Sequence, residues 1–350
     1  MQSPELIEVR PDERFDTSAV RSYLVGRLEG DHGDLTVRQF AGGHANLTYL
    51  LQYADGSEYV LRRPPLGPVA PGSHDMAREH RILKDLWKAF PEAPRSYALC
   101  DDPTIIGTSF FVMERKGGVV VRREVPEVFG AGRDQEANRK LSEVVIDTLV
   151  RFHNIDPHDA GLGDLGHPDG FLQRQVEGWA TRWHLSKEQD WSMATDLIEW
   201  LQNERPNSPA PSLVHNDWRL DNMAVSERDP GRCVAVYDWD MCTQGDPLAD
   251  LGTLLSVWYD ADEAPSELNP MPTTAPGFLS RQEAIDRYSN QAGISPSRVD
   301  YYVVFGSFKM AVIVQQIYIR YVRGQTRDDR FAVMGDAARH LMELAVRRRP

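Results

Sequence analysis

The stretch Leu213-Val214-His215-Asn216-Asp217-Trp218-Arg219-Leu220-Asp221-Asn222 runs from an apolar strand end directly into His, Asp, Arg and Asn. Further on, a second apolar segment, Val234-Ala235-Val236-Tyr237, ends in Asp238-Trp239-Asp240. Short apolar runs that stop at carboxylates read as strand ends that deliver polar side chains to one rim. Asp217, Asn222, Asp238 and Asp240 then offer oxygen atoms of the kind Mg²⁺ takes, with water and phosphate completing its coordination. A carboxylate beside them can accept the proton of an attacking hydroxyl. Taken singly, any of these residues would be a strand cap in a solvated loop. The ordered set, at this spacing, is what points to chemistry.

Around this short β-like island, 213–225 and 232–237, the second part of the chain is helical in pattern. Apolar residues recur at helical spacing over 135–153, 171–185, 192–203, 281–291, 296–323 and 331–347. The apolar run Phe305 to Val322 is interrupted by Lys309, Gln315 and Gln316, which predicts a buried core helix and not a membrane span. The first third reads differently. Asp16 to Leu28 predicts an opening helix. Leu35 to Phe40 and Leu47 to Tyr53 alternate as half-buried strands, Ala54-Asp55-Gly56 signals a hairpin, and Glu58 to Arg63 is the returning strand. A helix N-capped by Ser73 and running to about Ala89 follows, then strands over 95–100 and 109–114 and a Gly117-Gly118 joint.

Lys and Arg number 39 against 52 Asp and Glu, a formal net charge of −13, in a chain of 350 residues that is 41% hydrophobic. That balance argues against nucleic acid and anionic lipid as partners, while permitting a local basic pocket. The N-terminal segment has no apolar stretch of the signal-peptide kind. Cys100, Cys233 and Cys242 form no CxxC pair, and an odd count suits a reduced compartment, so a cytoplasmic location is expected. No His/Cys cluster has zinc-ligand spacing.

The two segments around Asp217 and Asp238 resemble the catalytic and metal-binding loops of the aminoglycoside phosphotransferase/choline kinase family, which writes H-G-D-x-x-x-x-N and then D-x-D or D-x-G. Here Asn216 stands in place of the usual Gly. The stretch Gly245-Asp246-Pro247-Leu248-Ala249-Asp250-Leu251-Gly252 is similar to the family's G-D-P-x-x-D-L. The resemblance implies an α+β, two-lobed protein-kinase-like fold. Residues 1–116 would form a nucleotide-covering N-lobe with a five-stranded sheet and a helix, and 117–350 a helical C-lobe, with ATP and Mg²⁺ between them. It implies Asp217 as catalytic base, Arg219 near the transferred phosphate, Asn222 and Asp238 as Mg²⁺ ligands with Asp240 as a further one, and His215 and Asp250 as braces.

In the N-lobe, the resemblance places Gly42, Gly43 and Asn46 in a loop over the nucleotide. Tyr59-Val60-Leu61-Arg62 takes the place of the V-A-I-K strand, with Val60 over the adenine and Arg62, a bidentate donor, at the phosphates. Glu79 is the expected ion-pair partner of Arg62, and Met113 and Glu114 lead into the hinge, where backbone groups near Glu114 would meet the adenine edge. The pattern V-L-R-R-P-P, R-E-H-R-I-L and Y-D-W-D-M-C-T-Q-G-D-P-L-A-D-L-G is similar to the kinase-like domain fused to some acyl-CoA dehydrogenases. The expected reaction is transfer of the γ-phosphoryl group to a hydroxyl of a small molecule, by a monomer or homodimer. The acceptor is a hydroxy acid or hydroxyacyl-CoA on one reading and an aminoglycoside on another, and a silent nucleotide-binding pseudokinase is the rival.

Overall fold

Short oxygen-bearing side chains open several of the helices, where unsatisfied backbone N–H groups need acceptors. The computed structural model describes residues 6–28, 33–41, 46–67, 74–263, 271–295, 297–325 and 331–350. Asp16 caps α1 (Thr17–Leu24), Asp75 caps α2 (Met76–Leu86) and Asp102 caps the short α3 (Pro103–Ile106). Asp134 caps α4 (Gln135–His153), and Asp246 caps α7 (Pro247–Ser256). Ser280 and Glu283 form a reciprocal capping box on α8 (Arg281–Ala292). The remaining helices are α5 (Phe171–Ser186), α6 (Ser192–Asn203), α9 (Val299–Val322) and α10 (Met334–Arg347). The cap of α2 is therefore Asp75. Ser73, the expected cap, lies outside the described residues, and the helix stops at Leu86 because 87–90 turns ahead of Pro91.

Contacts divide the chain into two compact units. The first comprises Met1–Gly117 with Ala160–Leu162 and Val234–Asp240. The second comprises Gly118–Asp159, Gly163–Cys233 and Met241–Pro350. The return of 234–240 into the first unit departs from a simple division near residue 117. It has a physical cause: the Val236 N–H donates to the Glu92 carbonyl at 2.9 Å, and Trp239 packs edge-on against Phe90.

In the first unit, β1 (Leu6–Ile7), β2 (Leu35–Phe40), β3 (Leu47–Tyr53), β4 (Glu58–Arg63), β5 (Ser96–Cys100) and β6 (Phe110–Glu114) make one antiparallel sheet in the order β1-β2-β3-β4-β6-β5. It has six strands where five were expected, because Leu6 and Ile7 pair with Phe40 and Gln39. A two-residue strand carries no readable alternation. One face of the sheet, with Tyr49, Leu51, Leu61, Phe110 and Val112, packs with Val20 and Leu24 of α1 into a buried core. Alternation along β4 sends Leu61 into that core and leaves Val60 and Arg62 on the opposite face.

β7 (Val119–Val120), β9 (Met223–Ser226) and β10 (Asp229–Val236), the last of which runs on into the 234–240 segment of the first unit, form a small sheet in the order β10-β9-β7; in the second unit β8 (Ser212–Val214) pairs antiparallel with β11 (Thr243–Gly245). The core helix is α9, which packs against α5, α7 and α10. It is long and apolar enough to cross a membrane, yet 78% of its most apolar stretch is buried inside the fold. Glycines set how closely α7 and α9 approach. A Cβ at Gly252 would stand 2.4 Å from the Tyr302 Cβ, and one at Gly306 would stand 2.7 Å from the Gly252 carbonyl oxygen. Gly252→Ala and Gly306→Ala should each destabilise the protein by about 1–3 kcal/mol through overpacking. Gly117→Ala, whose added methyl meets nothing within 4 Å, should be near neutral in the same urea titration.

Candidate active site

The first unit gathers a charged group around Arg62. Arg62 is 8% exposed, and its guanidinium pairs through Nε with Glu79 Oε2 at 3.3 Å and donates through Nη2 to Asp238 Oδ1. Asn46 joins them: with its amide turned to donate to His74 Nδ1 at 2.7 Å, its oxygen accepts from Arg62 Nη2 at 2.8 Å and Nε at 3.1 Å. The Trp239 N–H donates to the Glu79 carboxylate, and Arg78 Nη1 donates to the Asp240 carbonyl at 2.6 Å. Asp238 itself takes a positive φ of 65°, a turn that Asp tolerates better than most residues. Burial works against the Arg62 charge, but Glu79, then Asp238 and Asp240, outweigh it and raise its pKa. Burial pushes the Glu79 carboxyl up to about 8 even with Arg62 beside it. Asp238 and Asp240 set two carboxylates in the field of the Arg62 guanidinium, an acidic pairing of the kind a divalent cation can meet.

Arg62, and not its neighbour Arg63, meets Glu79. Arg63 lies on the other face of β4, donating to Tyr49 Oη at 2.9 Å and to the Glu13 carbonyl at 2.7 Å. Val60 and Met113 are buried and directly opposed across β4 and β6. The Glu114 N–H donates to the Arg95 carbonyl at 2.8 Å, so the amide hydrogen of residue 114 is engaged within the protein and does not face a base edge. Its carboxylate pairs with Lys116 at 3.1 Å. Gly42 and Gly43 lie outside the described residues.

In the second unit, the turn from β8 to β9 is organised by Asp250 on α7. Its fully buried carboxylate accepts from the His215 N–H at 2.6 Å and the Asn216 N–H at 2.5 Å, and His153 Nε2 stands 3.2 Å away. His153 is itself held through Nδ1 by Tyr288 Oη at 2.8 Å. Below the turn, Trp218 stacks on Phe152 and donates to the Val145 carbonyl at 3.1 Å. These anchors present Asp217, whose N–H donates to His215 Nδ1 at 3.3 Å. Asn222 Nδ2 donates to the Asp217 carbonyl at 2.9 Å and to its Oδ2 at 2.8 Å. The Asn222 amide nitrogen is thereby engaged, and its carbonyl oxygen is the atom suited to a cation. Arg219 stands 3.5 Å from Asp217 Oδ1 and donates to Asp221 Oδ2 at 2.8 Å. Burial raises the Asp221 pKa in spite of Arg219. Asp221 was not singled out from the sequence, although it sits inside the quoted motif. Lys309 on α9 was read only as a break in an apolar run, and its Nζ donates to the Asn216 carbonyl.

Among the described residues, no group of three or more His, Cys, Asp or Glu forms a closed metal cage. Oxygen-rich positions that leave most of the coordination to water and phosphate are the usual habit of Mg²⁺, and within each unit the oxygens available are the Asn222 side-chain carbonyl in the second and the Asp238 and Asp240 carboxylates in the first.

The matching family model covers residues 36–271. The chain belongs to the phosphotransferase enzyme family. It is 32% identical to a chicken protein called acyl-CoA dehydrogenase family member 11, over 92% of this chain and 42% of that relative, so it spans less than half of it. A Ralstonia eutropha structure provisionally named an aminoglycoside phosphotransferase superposes with a TM-score of 0.81 at 29% identity, over 96% of this chain and 98% of that one. An aminoglycoside phosphotransferase variant in complex with ADP and hygromycin B shares the fold at a TM-score of 0.59 and 18% identity, over 94% and 98% of the two chains. The fold is kinase-like and mixed α+β, with an antiparallel sheet in its N-terminal part and helices in its C-terminal part.

Asp250→Asn should cost about 3–5 kcal/mol, because the amide sets a donor against one of two buried N–H groups. Burial tends to raise the Asp250 pKa, but His153, His215 and the backbone donors bring it net below the ordinary value. A lowered folded-state pKa stabilises the fold above the unfolded value of about 3.9, and that contribution starts to fade there and is lost as pH falls on through the lower folded-state value. The stability gap between wild type and Asp250→Asn, followed by denaturation from pH 6 down to about 3, should therefore narrow on acidification.

Proposed function

We propose that the protein transfers the γ-phosphoryl group of ATP to a hydroxyl of a small molecule. The observation that carries this reading is the clamped turn His215–Asn222, in which Asp250 holds the backbone and Asn222 holds Asp217. Asp217 orients the acceptor hydroxyl and takes its proton. Arg62 would neutralise nucleotide phosphate and Arg219 the transferred group. Asn222 and Asp238, with Asp240 as a further candidate, would hold Mg²⁺, whose chemistry is to offset the charge of the bridging phosphate oxygens. Nucleotide use is supported by the ADP complex of the fold relative.

For the acceptor, a hydroxy acid or hydroxyacyl-CoA is favoured over a polycationic aminoglycoside. The exposed Arg182 stands 4.6 Å from the ring centroid of Trp179 and acts electrostatically on Lys309, as Asp217 does, which puts a cation near the Asp217 turn. Anionic groups suit such surroundings better than ammonium groups do. The name of the chicken relative points toward acyl-CoA chemistry as well. Such a reaction fits a cytoplasmic enzyme, monomeric or homodimeric, that contacts neither nucleic acid nor membrane.

The test is a Mg²⁺·ATP phosphorylation screen across hydroxy acids, their CoA thioesters and aminoglycosides, reading phosphorylated product. Product from a hydroxy acid or its thioester is expected. Nucleotide binding without product from any acceptor would favour the silent pseudokinase. Asp217→Asn should lower kcat by about 10²–10⁴-fold while ADP affinity, measured by calorimetry, stays unchanged. Arg62→Ala and Glu79→Ala should each weaken ATP binding, and the double variant should lose less than the two losses added, because one ion pair is broken twice.

A further inference from the structure

α9 carries one charged side chain into the interior of its unit. Lys309 is 3% exposed, on a helix whose neighbouring residues Phe308, Met310, Ala311 and Val312 are apolar and buried. Taking an ammonium out of water is costly unless it is paired and hydrogen-bonded. Lys309 makes its hydrogen bond to a neutral acceptor, the carbonyl of Asn216, with the face of Trp179 at 5.7 Å. Burial lowers its pKa, and Asp217 first, then Asp250, work to hold its charge. For packing alone, a Met of similar length would fill the position without that cost.

What Lys309 holds explains its presence. Asn216 has a φ of 67°, a left-handed conformation in which Asn is among the few side chains commonly found. Three of its polar groups are engaged. Its N–H goes to Asp250 at 2.5 Å, its Nδ2 to the Met241 carbonyl at 2.9 Å, and its carbonyl receives the Lys309 ammonium. That carbonyl belongs to the same peptide plane as the Asp217 N–H, which donates to His215 Nδ1. The plane that leads into Asp217 is therefore gripped from one side by Lys309 and from the other by His215. A rotation of this plane would swing the Asp217 carboxylate.

We propose that Lys309 is a positioning residue for Asp217. It fixes the 216–217 peptide, and with it the carboxylate that receives the acceptor proton, through its hydrogen bond to the Asn216 carbonyl. The proposal rests on the reading of Asp217 as the base, and its test separates the two. Lys309→Met keeps the length and removes both donor and charge.

Three measurements on the full chain are compared with wild type: thermal midpoint, amide hydrogen exchange, and calorimetric ADP affinity. Where the screen yields an acceptor, kcat and KM for ATP are added. Expected for Lys309→Met is a midpoint at or above wild type, exchange at 215–218 faster by about tenfold or more with the rest of the unit unchanged, and unaltered ADP affinity. The kcat should fall by about tenfold or more while KM for ATP holds. A lowered midpoint with faster exchange throughout the second unit would overturn the proposal in favour of plain core packing. Unchanged exchange at 215–218, or unchanged kcat despite faster exchange, would overturn it as well. If wild type phosphorylates nothing, the phosphotransferase reading fails, while exchange at 215–218 still decides whether Lys309 holds the turn.

Discussion

A carboxylate with no access to water, accepting from two consecutive backbone N–H groups, is the interaction on which the candidate catalytic turn depends. Asp250 meets the His215 and Asn216 amides from the first turn of α7, and Asp246, four residues earlier, caps that same helix. The segment from 245 to 252 is therefore structural at every polar position. Asp246 also accepts from Tyr302 Oη on α9, Asp250 reaches through His153 to Tyr288 on α8, and Gly252 lets α9 approach. A short turn carrying a base needs a rigid mount, and here the mount is built from helices that never enter the turn themselves.

In the first unit the organising constraint is charge. One buried guanidinium serves Glu79, Asp238 and the Asn46 amide together, a task suited to the planar fork of Arg. Burial raises the Glu79 pKa while the carboxylates around Arg62 raise its own, and perturbed titratable groups gathered in this way are a usual property of functional sites.

Much of this was legible in the amino-acid sequence, for identifiable reasons. The motif from His215 to Asn222 concentrates its chemistry in one turn, so spacing alone exposes it. Two-residue alternation in β4 separates Arg62 from Arg63, and the burial of Leu61 in the core bears that register out. Other features had weak or misleading signals. The strand Leu6–Ile7 is too short to alternate, and Asp75 competes with Ser73 as a cap within three residues. Asp221 looks like any loop carboxylate until burial and Arg219 are seen together. Lys309 is separated from Asp217 by about ninety residues, and only tertiary packing brings its ammonium to the Asn216 carbonyl.

The discontinuity of the first unit has a consequence for how the chain is made. Arg62 and Asp238 are 176 positions apart, yet they share one ion pair inside that unit. At ribosomal rates of about 5–20 residues per second, the Arg62 side chain emerges roughly 9–35 s before its partner. During that interval Glu79 and Asn46 are the partners available to it, and Phe90 lacks the indole that later covers it. The N-terminal sheet can form early, from hairpins of adjacent strands, but its charged face is finished only when a distant strand end docks. Closing so long a loop is slow compared with local hairpin formation. The charged group at Arg62 is thus assembled last in the unit that contains it, and a nascent chain stalled before residue 234 would hold the sheet without it.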